Sequence, residues 1–225
     1  MPENPLDMLQ TLPVYKTKAQ KRAFREAVQS YAEKLGYPAF ADQGSFGSCN
    51  LVIGDLKQAK YLVSSGSARS GVAAWLEIIR TFPENQRSKV CFVFFDGKNG
   101  ASSYCKKYKS ETDNQLLIDL GHVGDGAHMR MFPSKPLRRN RNRLTSLYQA
   151  CGYFGSRDLL VEEKQKPLNL KICSSFPFSV TICALQDHKK GMRFNRKTKD
   201  TALDETNVNI LRAALTTFIC CDEVN

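Results

Sequence analysis

The residue types that most readily do chemistry are few in this chain, and they are scattered. It holds three histidines, and two of them, His122 and His128, stand on either side of Asp125 in one short stretch. Imidazole and carboxylate both ligate transition metals, so His122, Asp125 and His128 form a candidate metal group. Their spacing matches no recognised signature, and Gly121, Gly124 and Gly126 among them read as a tight turn. The third histidine lies in Asp187-His188-Lys189-Lys190-Gly191, which reads as a solvated loop. A nucleophilic serine or cysteine needs a base to hold it. A nucleophile-elbow pattern occurs only in broken form, as Gly44-Ser45-Phe46-Gly47, and the serines at 64–70 read as a polar turn. No Walker-type phosphate loop is present. The turn at 66–71 leads into a helix, whose free N–H groups can take an anion.

The eight cysteines make no C-x-x-C pair, and several sit in apolar runs, such as Cys91 in Val90-Cys91-Phe92-Val93 and Cys183 in Thr181-Ile182-Cys183-Ala184. Buried cysteines of this kind behave as small hydrophobes, so reduced thiols in a reducing compartment are expected. The start, Met1-Pro2-Glu3-Asn4-Pro5, has no basic stretch followed by an apolar one. No apolar run is long enough to span a bilayer, and the expected location is the cytoplasm, with no membrane partner. The formal charge of +11 raises the question of a polyanion. The densest basic stretch, with Arg138, Arg139, Arg141 and Arg143, reads as the start of a helix buried through Leu144, Leu147, Tyr148 and Cys151 and ending at Gly152. No zinc finger or RNA-binding aromatic motif accompanies it, so nucleic acid is disfavoured as a partner.

These residues must be positioned by an alternation of strands and helices. A helix is expected over 16–35, with Phe24, Val28, Tyr31, Ala32 and Leu35 on its apolar face. Strands are expected at 37–40, 50–53, 60–64, 89–96, 115–120, 128–132 and 180–185. Helices are expected after 71, over 102–109, before 152 and after 204. That order predicts a mostly parallel sheet sandwiched between helices, with ligand sites beyond the carboxyl ends of the strands at 64–71, 96–103 and 121–126. At 42% hydrophobic and 24% charged residues the composition is that of an ordinary soluble protein, and no repeat or convincing boundary divides its 225 residues. One domain is expected over 1–225, with the segment 1–36 as an N-terminal helix packed on it.

Four segments at these strand ends resemble, together and in order, the zinc-dependent aminopeptidases of peptidase family M twenty-eight. Ser70-Gly71-Val72-Ala73 resembles that family's Ser-Gly-Val-Ala helix, and Val93-Phe94-Phe95-Asp96 the strand that carries its catalytic glutamates. Ile118-Asp119-Leu120-Gly121-His122-Val123-Gly124 resembles its Asn-x-Asp-x-Val-Gly strand end, and Lys199-Asp200-Thr201-Ala202-Leu203-Asp204 the tail of its His-Thr-x-x-Asp-Thr motif. The resemblance implies a three-layer α/β/α fold with a mixed, mainly parallel sheet, of the zinc-aminopeptidase (phosphorylase/hydrolase-like) kind.

It also implies a site for two zinc ions, held by a His-x-Asp pair, a bridging aspartate, a Glu-Glu pair, a second aspartate and a final histidine. Zinc would lower the pKa of a bound water and polarise the scissile carbonyl. Carried over residue by residue, the set fails. The loop for the His-x-Asp pair is deleted, the bridging aspartate falls on Ser67, and the Glu-Glu pair falls on Lys98-Asn99. The second aspartate falls on Gly121 and the final histidine on Arg196. The expectation is a catalytically inactive relative without cofactor, in a binding or regulatory role. Arg69, Lys98 and Arg196 would then line a vestigial cleft fit for a small anion or a peptide. The alternative is an active metallo-aminopeptidase using displaced ligands, with His122, Asp125 and His128 as the candidates.

Overall fold

The structure, a computed structural model, describes residues 17–65, 68–124, 126, 128–133, 170–185 and 204–221. The first helix among the described residues, α1 (Lys18–Lys34), begins where Thr17 and Gln20 cap each other. The Thr17 hydroxyl accepts the Gln20 N–H at 3.2 Å, and the Gln20 side chain accepts the Thr17 N–H at 3.1 Å. Two N–H groups that the helix start leaves without partners are satisfied in this way. Phe24, Val28 and Ala32 are buried by α1 against the core.

Next along the chain come β1 (Ala39–Gln43), β2 (Cys49–Ile53), β3 (Tyr61–Ser65), α2 (Arg69–Thr81), β4 (Val90–Phe94), α3 (Gly97–Lys107) and α4 (Lys109–Thr112). After them come β5 (Leu116–Leu120), β6 (His128–Pro133), α5 (Leu170–Cys173), β7 (Ser179–Leu185) and α6 (Glu205–Cys220). One sheet of seven strands has the order β1-β2-β4-β3-β5-β7-β6. The centre, β4-β3-β5-β7, is parallel throughout. At the edges β2 is antiparallel to β4, β1 to β2, and β6 to β7. Two reversals turn β1 back to the central direction, so only β2 and β6 oppose it. The sheet is mixed and mainly parallel, as the alternation predicts.

Both faces are covered. Ile53, Val63, Phe92, Ile118 and Val180 point to one face, where they meet α1, α2 and α6. The residues between them, Val52, Leu62, Cys91 and Leu117, point to the other face and meet α3 and α5. This strict period of two, with apolar residues on both sides, is what a parallel strand in a three-layer stack requires. Trp75 on α2 packs edge-on to Phe92, with ring centroids 6.4 Å apart, and donates its indole N–H to the Val63 carbonyl at 2.9 Å.

Two expected boundaries move. Helix α2 begins at Arg69, inside the segment read as a turn, and α3 begins at Gly97 rather than 102. The second shift has a tertiary cause. Buried Asn50 accepts the Asp96 N–H at 3.1 Å and donates to the Gly100 carbonyl at 3.1 Å. These bonds hold a glycine-containing first turn that helix propensity alone disfavours. The basic helix expected before Gly152 lies outside the described residues.

Cys49, Cys91, Cys105, Cys173, Cys183, Cys220 and Cys221 are free thiols, while Cys151 lies outside the described residues. Burial pushes the Cys91 thiol up to about 12, because a thiolate there would lose its hydration. Alkylation needs the thiolate. A short iodoacetamide pulse at pH 8, read by mass spectrometry, is therefore expected to modify exposed Cys221 and leave Cys91 untouched until the protein is denatured. Labelling of Cys91 within the native pulse would contradict this packing.

Candidate functional site

The carboxyl ends of the parallel strands lie side by side, because Ser65 is in register with both Phe94 and Leu120, and Leu120 with Ile182. The segments leaving these strands therefore lie together at one end of the sheet. Helix α2 meets it through Ser70 and Gly71. The Ser70 hydroxyl accepts the Val123 N–H at 3.2 Å. A Cβ on Gly71 would stand 2.5 Å from the carbonyl oxygens of both Leu120 and Gly121. The helix can thus approach β5 only with glycine at this position. On the far side of the same strand end, a Cβ on Gly121 would lie 2.5 Å from the Cys183 sulfur and 3.3 Å from the Ile182 carbonyl.

At this end of the sheet, Arg69 is the first residue of α2, and Ala68 before it supplies no side-chain cap. Lys98 and Asn99 are exposed in the first turn of α3, which leaves the neighbouring strand. Arg69 and Lys98 thus stand at the starts of helices that leave adjacent strands, on the same end of the sheet. Ser67 and Arg196 lie outside the described residues. His122 comes after β5 and is half-buried, and its carbonyl accepts the Ala184 N–H at 2.7 Å. His128 opens β6 opposite Leu185, its side chain is outside the described set, and so is Asp125. Among the described residues no three His, Cys, Asp or Glu side chains converge as a metal group would. At the positions where the sequence resemblance places zinc ligands, Lys98 is a cation, Asn99 a neutral amide and Gly121 without a side chain, a set that does not suit a zinc pair.

These strand ends, with a glycine-entered helix on β5 and a second helix leaving β4, identify the architecture. The fold is that of the zinc exopeptidases and glutaminyl cyclases. The chain is similar to a zinc-dependent exopeptidase from Parabacteroides distasonis, with a TM-score of 0.70 and 15% identity over 96% of each chain. It is similar to the glutaminyl cyclase of Fimbriiglobus ruber, with a TM-score of 0.67 and 17% identity over 97% of this chain and 95% of that one. The LapA aminopeptidase of Legionella pneumophila matches with a TM-score of 0.65 and 12% identity, over 98% of this chain and 71% of the other. No family profile and no curated protein matches the sequence. No helix among the described residues is long and apolar enough to cross a membrane.

One feature of this end of the sheet is not expected from the sequence. Beside the β1–β2 turn lies a pocket of about 410 Å³, lined on one wall by α1. The basic residues there recur at i, i+3, i+4 and i+7, a helical stripe visible in the sequence. The apolar face of α1 predicts the helix, but it carries no hint that the opposite face lines a pocket.

The Gly71 contact supports a test whose sign is informative. Replacing glycine by alanine inside a helix ordinarily stabilises by about 1 kcal/mol. Gly71→Ala is instead expected to destabilise by about 1–3 kcal/mol, because both obstructing atoms are backbone and α2 must move. Urea unfolding measures this, and an unchanged or raised midpoint would show that α2 does not sit on the β5 carbonyls.

Proposed function

We propose that this chain is a non-catalytic member of the zinc-exopeptidase fold, acting as a binding protein through its strand-end cleft. The observation that carries the reading is Gly121. It stands where the resemblance places a metal-binding aspartate, and the space a side chain would need is filled by the Cys183 thiol. Lys98-Asn99 adds to it, since neither a cation nor an amide at the place of the glutamate pair supplies the carboxylates that the resemblance implies. If these positions hold neither zinc nor a base, the zinc-activated water that the resemblance implies would not form at them. Loss of a general base alone costs about 10²–10⁴ in rate.

The test is metal analysis of the purified protein beside an aminopeptidase assay on the same sample. Zinc well below one equivalent and no hydrolysis of aminoacyl substrates are expected. Two tightly bound zinc ions per chain, with hydrolysis abolished by a chelator, would overturn the reading.

The occupant we propose for the cleft is a small anion or an acidic peptide terminus, held by Arg69, Lys98 and Arg196. Arg69 and Lys98 stand at helix starts, where the backbone dipole also favours negative charge. Phosphate, citrate and short peptides are expected to raise the melting temperature of the wild type more than that of Lys98→Ala or Arg196→Ala. Equal shifts in all three proteins, matching the general salt effect, would remove the cleft as an anion site.

A further inference from the structure

The pocket beside the β1–β2 turn shares Asp96 and Asn99 with the β4 strand end, but the rest of its lining comes from α1 and the β1–β2 turn. One wall is α1, which presents Lys18, Lys21, Arg22 and Arg25 to it. From Lys18 to Arg25 the stripe runs about 10 Å along the helix. Two of these cations are already engaged. Lys21 meets Asp96 at 2.6 Å, and Arg22 turns outward to Glu26 at 2.7 Å. Among the described residues neither Lys18 nor Arg25 has a hydrogen-bond or ion-pair partner, and one terminal nitrogen of the Arg25 guanidinium is buried without one. Among the described residues the only carboxylate in the lining is Asp96, which is held by Lys21 and by the Cys49 N–H at 3.2 Å. The pocket therefore carries net positive charge with unspent donors.

The opposite wall carries Phe46. It is 92% exposed, the most exposed large apolar side chain among the described residues, and its backbone is left-handed with φ of 57°. Neither property favours folding: an apolar ring is left in water, and a non-glycine residue occupies a disfavoured backbone region. The turn is nevertheless pinned. The Ser45 N–H donates to the Ser103 hydroxyl at 2.9 Å, Gly44 N–H to the Ser48 carbonyl at 2.9 Å, and the Ser48 hydroxyl to the Ser45 carbonyl at 2.8 Å. These bonds hold the turn that carries the ring beside the basic pocket. Backbone strain held in place beside a charged cavity points to a binding role.

A basic groove faced by an exposed aromatic ring is the arrangement that takes a phosphate on one side and a planar base on the other. The geometry points to this pocket as a nucleotide-binding site, with Lys18 and Arg25 on the phosphate and Phe46 stacked on the base. The formal charge of +11 over the chain favours approach of the same class of ligand. An acidic peptide would satisfy the cations but has no systematic use for the ring. The nucleotide comes either free or as part of a single strand. The stripe spans only a few nucleotides, so a strand would be gripped at one short segment. Binding here is independent of whether the strand-end cleft has lost catalysis.

The experiment is fluorescence anisotropy and isothermal titration at about 50 mM salt, where phosphate contacts are strong. The probes are uridine monophosphate, a single-stranded oligouridylate of roughly ten residues, inorganic phosphate and an oligoglutamate peptide. The proteins are the wild type, Phe46→Ala, Phe46→Trp, the double variant Lys18→Ala/Arg25→Ala, and Lys57→Ala. Lys57 is exposed in the loop between β2 and β3, at the other end of the sheet, so its loss removes a charge without touching the pocket. Phe46→Ala and the double variant are each expected to weaken nucleotide binding about tenfold or more. Phe46→Trp should restore it and Lys57→Ala should leave it alone. Binding of the monophosphate with this pattern identifies a free nucleotide, and binding of the oligonucleotide alone identifies a single strand. Phosphate or oligoglutamate binding as tightly as the nucleotide probes, indifference to Phe46→Ala, or no binding of either nucleotide probe would each overturn the proposal.

Discussion

The approach of α2 to the end of β5 is the contact on which this end of the molecule depends. A helix start and a strand end meet there with no side chain between them, because Gly71 lies against the Leu120 and Gly121 carbonyls. The Ser70 hydroxyl then takes up the Val123 N–H, which the chain presents as it leaves the strand. The contact sets the depth of α2 in the layer, and α2 in turn carries Trp75 onto Phe92 and Phe94. It also brings buried Glu77 within reach of Arg80 and of Arg212 on α6. One close backbone approach thus couples the helix layer, the sheet centre and the last helix.

A second node lies on the other side of β4. Asn50 is fully buried in β2, and its side-chain amide is bonded to the Asp42 carboxylate, the Gly100 carbonyl and the Asp96 N–H. A buried amide left without partners would be costly, so β1, β2 and the start of α3 are obliged to assemble together. Asp42 extends the network to Tyr108 at 3.0 Å and to Lys107, whose pKa is raised by the hydrogen bond it donates to Asp42. The antiparallel β1–β2 edge is thereby tied to the parallel centre. That tie holds the turn carrying Phe46 against α3.

The central strands were legible in the sequence because burial on both faces leaves long apolar runs, and 89–96 and 115–120 contain β4 and β5 almost to the residue. The order of strands was not legible. Periodicity says which face a residue takes, but it does not say that β3 inserts between β4 and β5, a consequence of crossovers through α2 and α3. The start of α3 was hidden because its support comes from Asn50, far away in sequence. The resemblance points to Ser70, Gly71, Lys98, Asn99 and Gly121, and the fold gathers all five at one end of the sheet. The pocket beside α1 was not read, since charged residues at helical spacing are ordinarily a solvated face. What sets this stripe apart is the turn opposite it, and that juxtaposition exists only in the folded chain.

The buried carboxylate near the end of β5 shows what packing asks of this segment. Asp119 is fully buried two residues before Gly121, and its register partner Ser64 donates to it at 2.7 Å. Its alternation places it with Leu117 on the α5 side of the sheet, where burial first, and then the Asp119 charge, raise the pKa of the Cys173 thiol. The carboxylate at this strand end is therefore turned into the layer rather than toward the cleft, and it serves the strand pairing of β3 with β5. Beyond it the chain needs close backbone packing more than it needs a ligand, and glycine meets that need at both 71 and 121. The segment that most resembles a zinc exopeptidase is explained by contacts that position a helix on a sheet, and such contacts survive whether or not a metal is held above them.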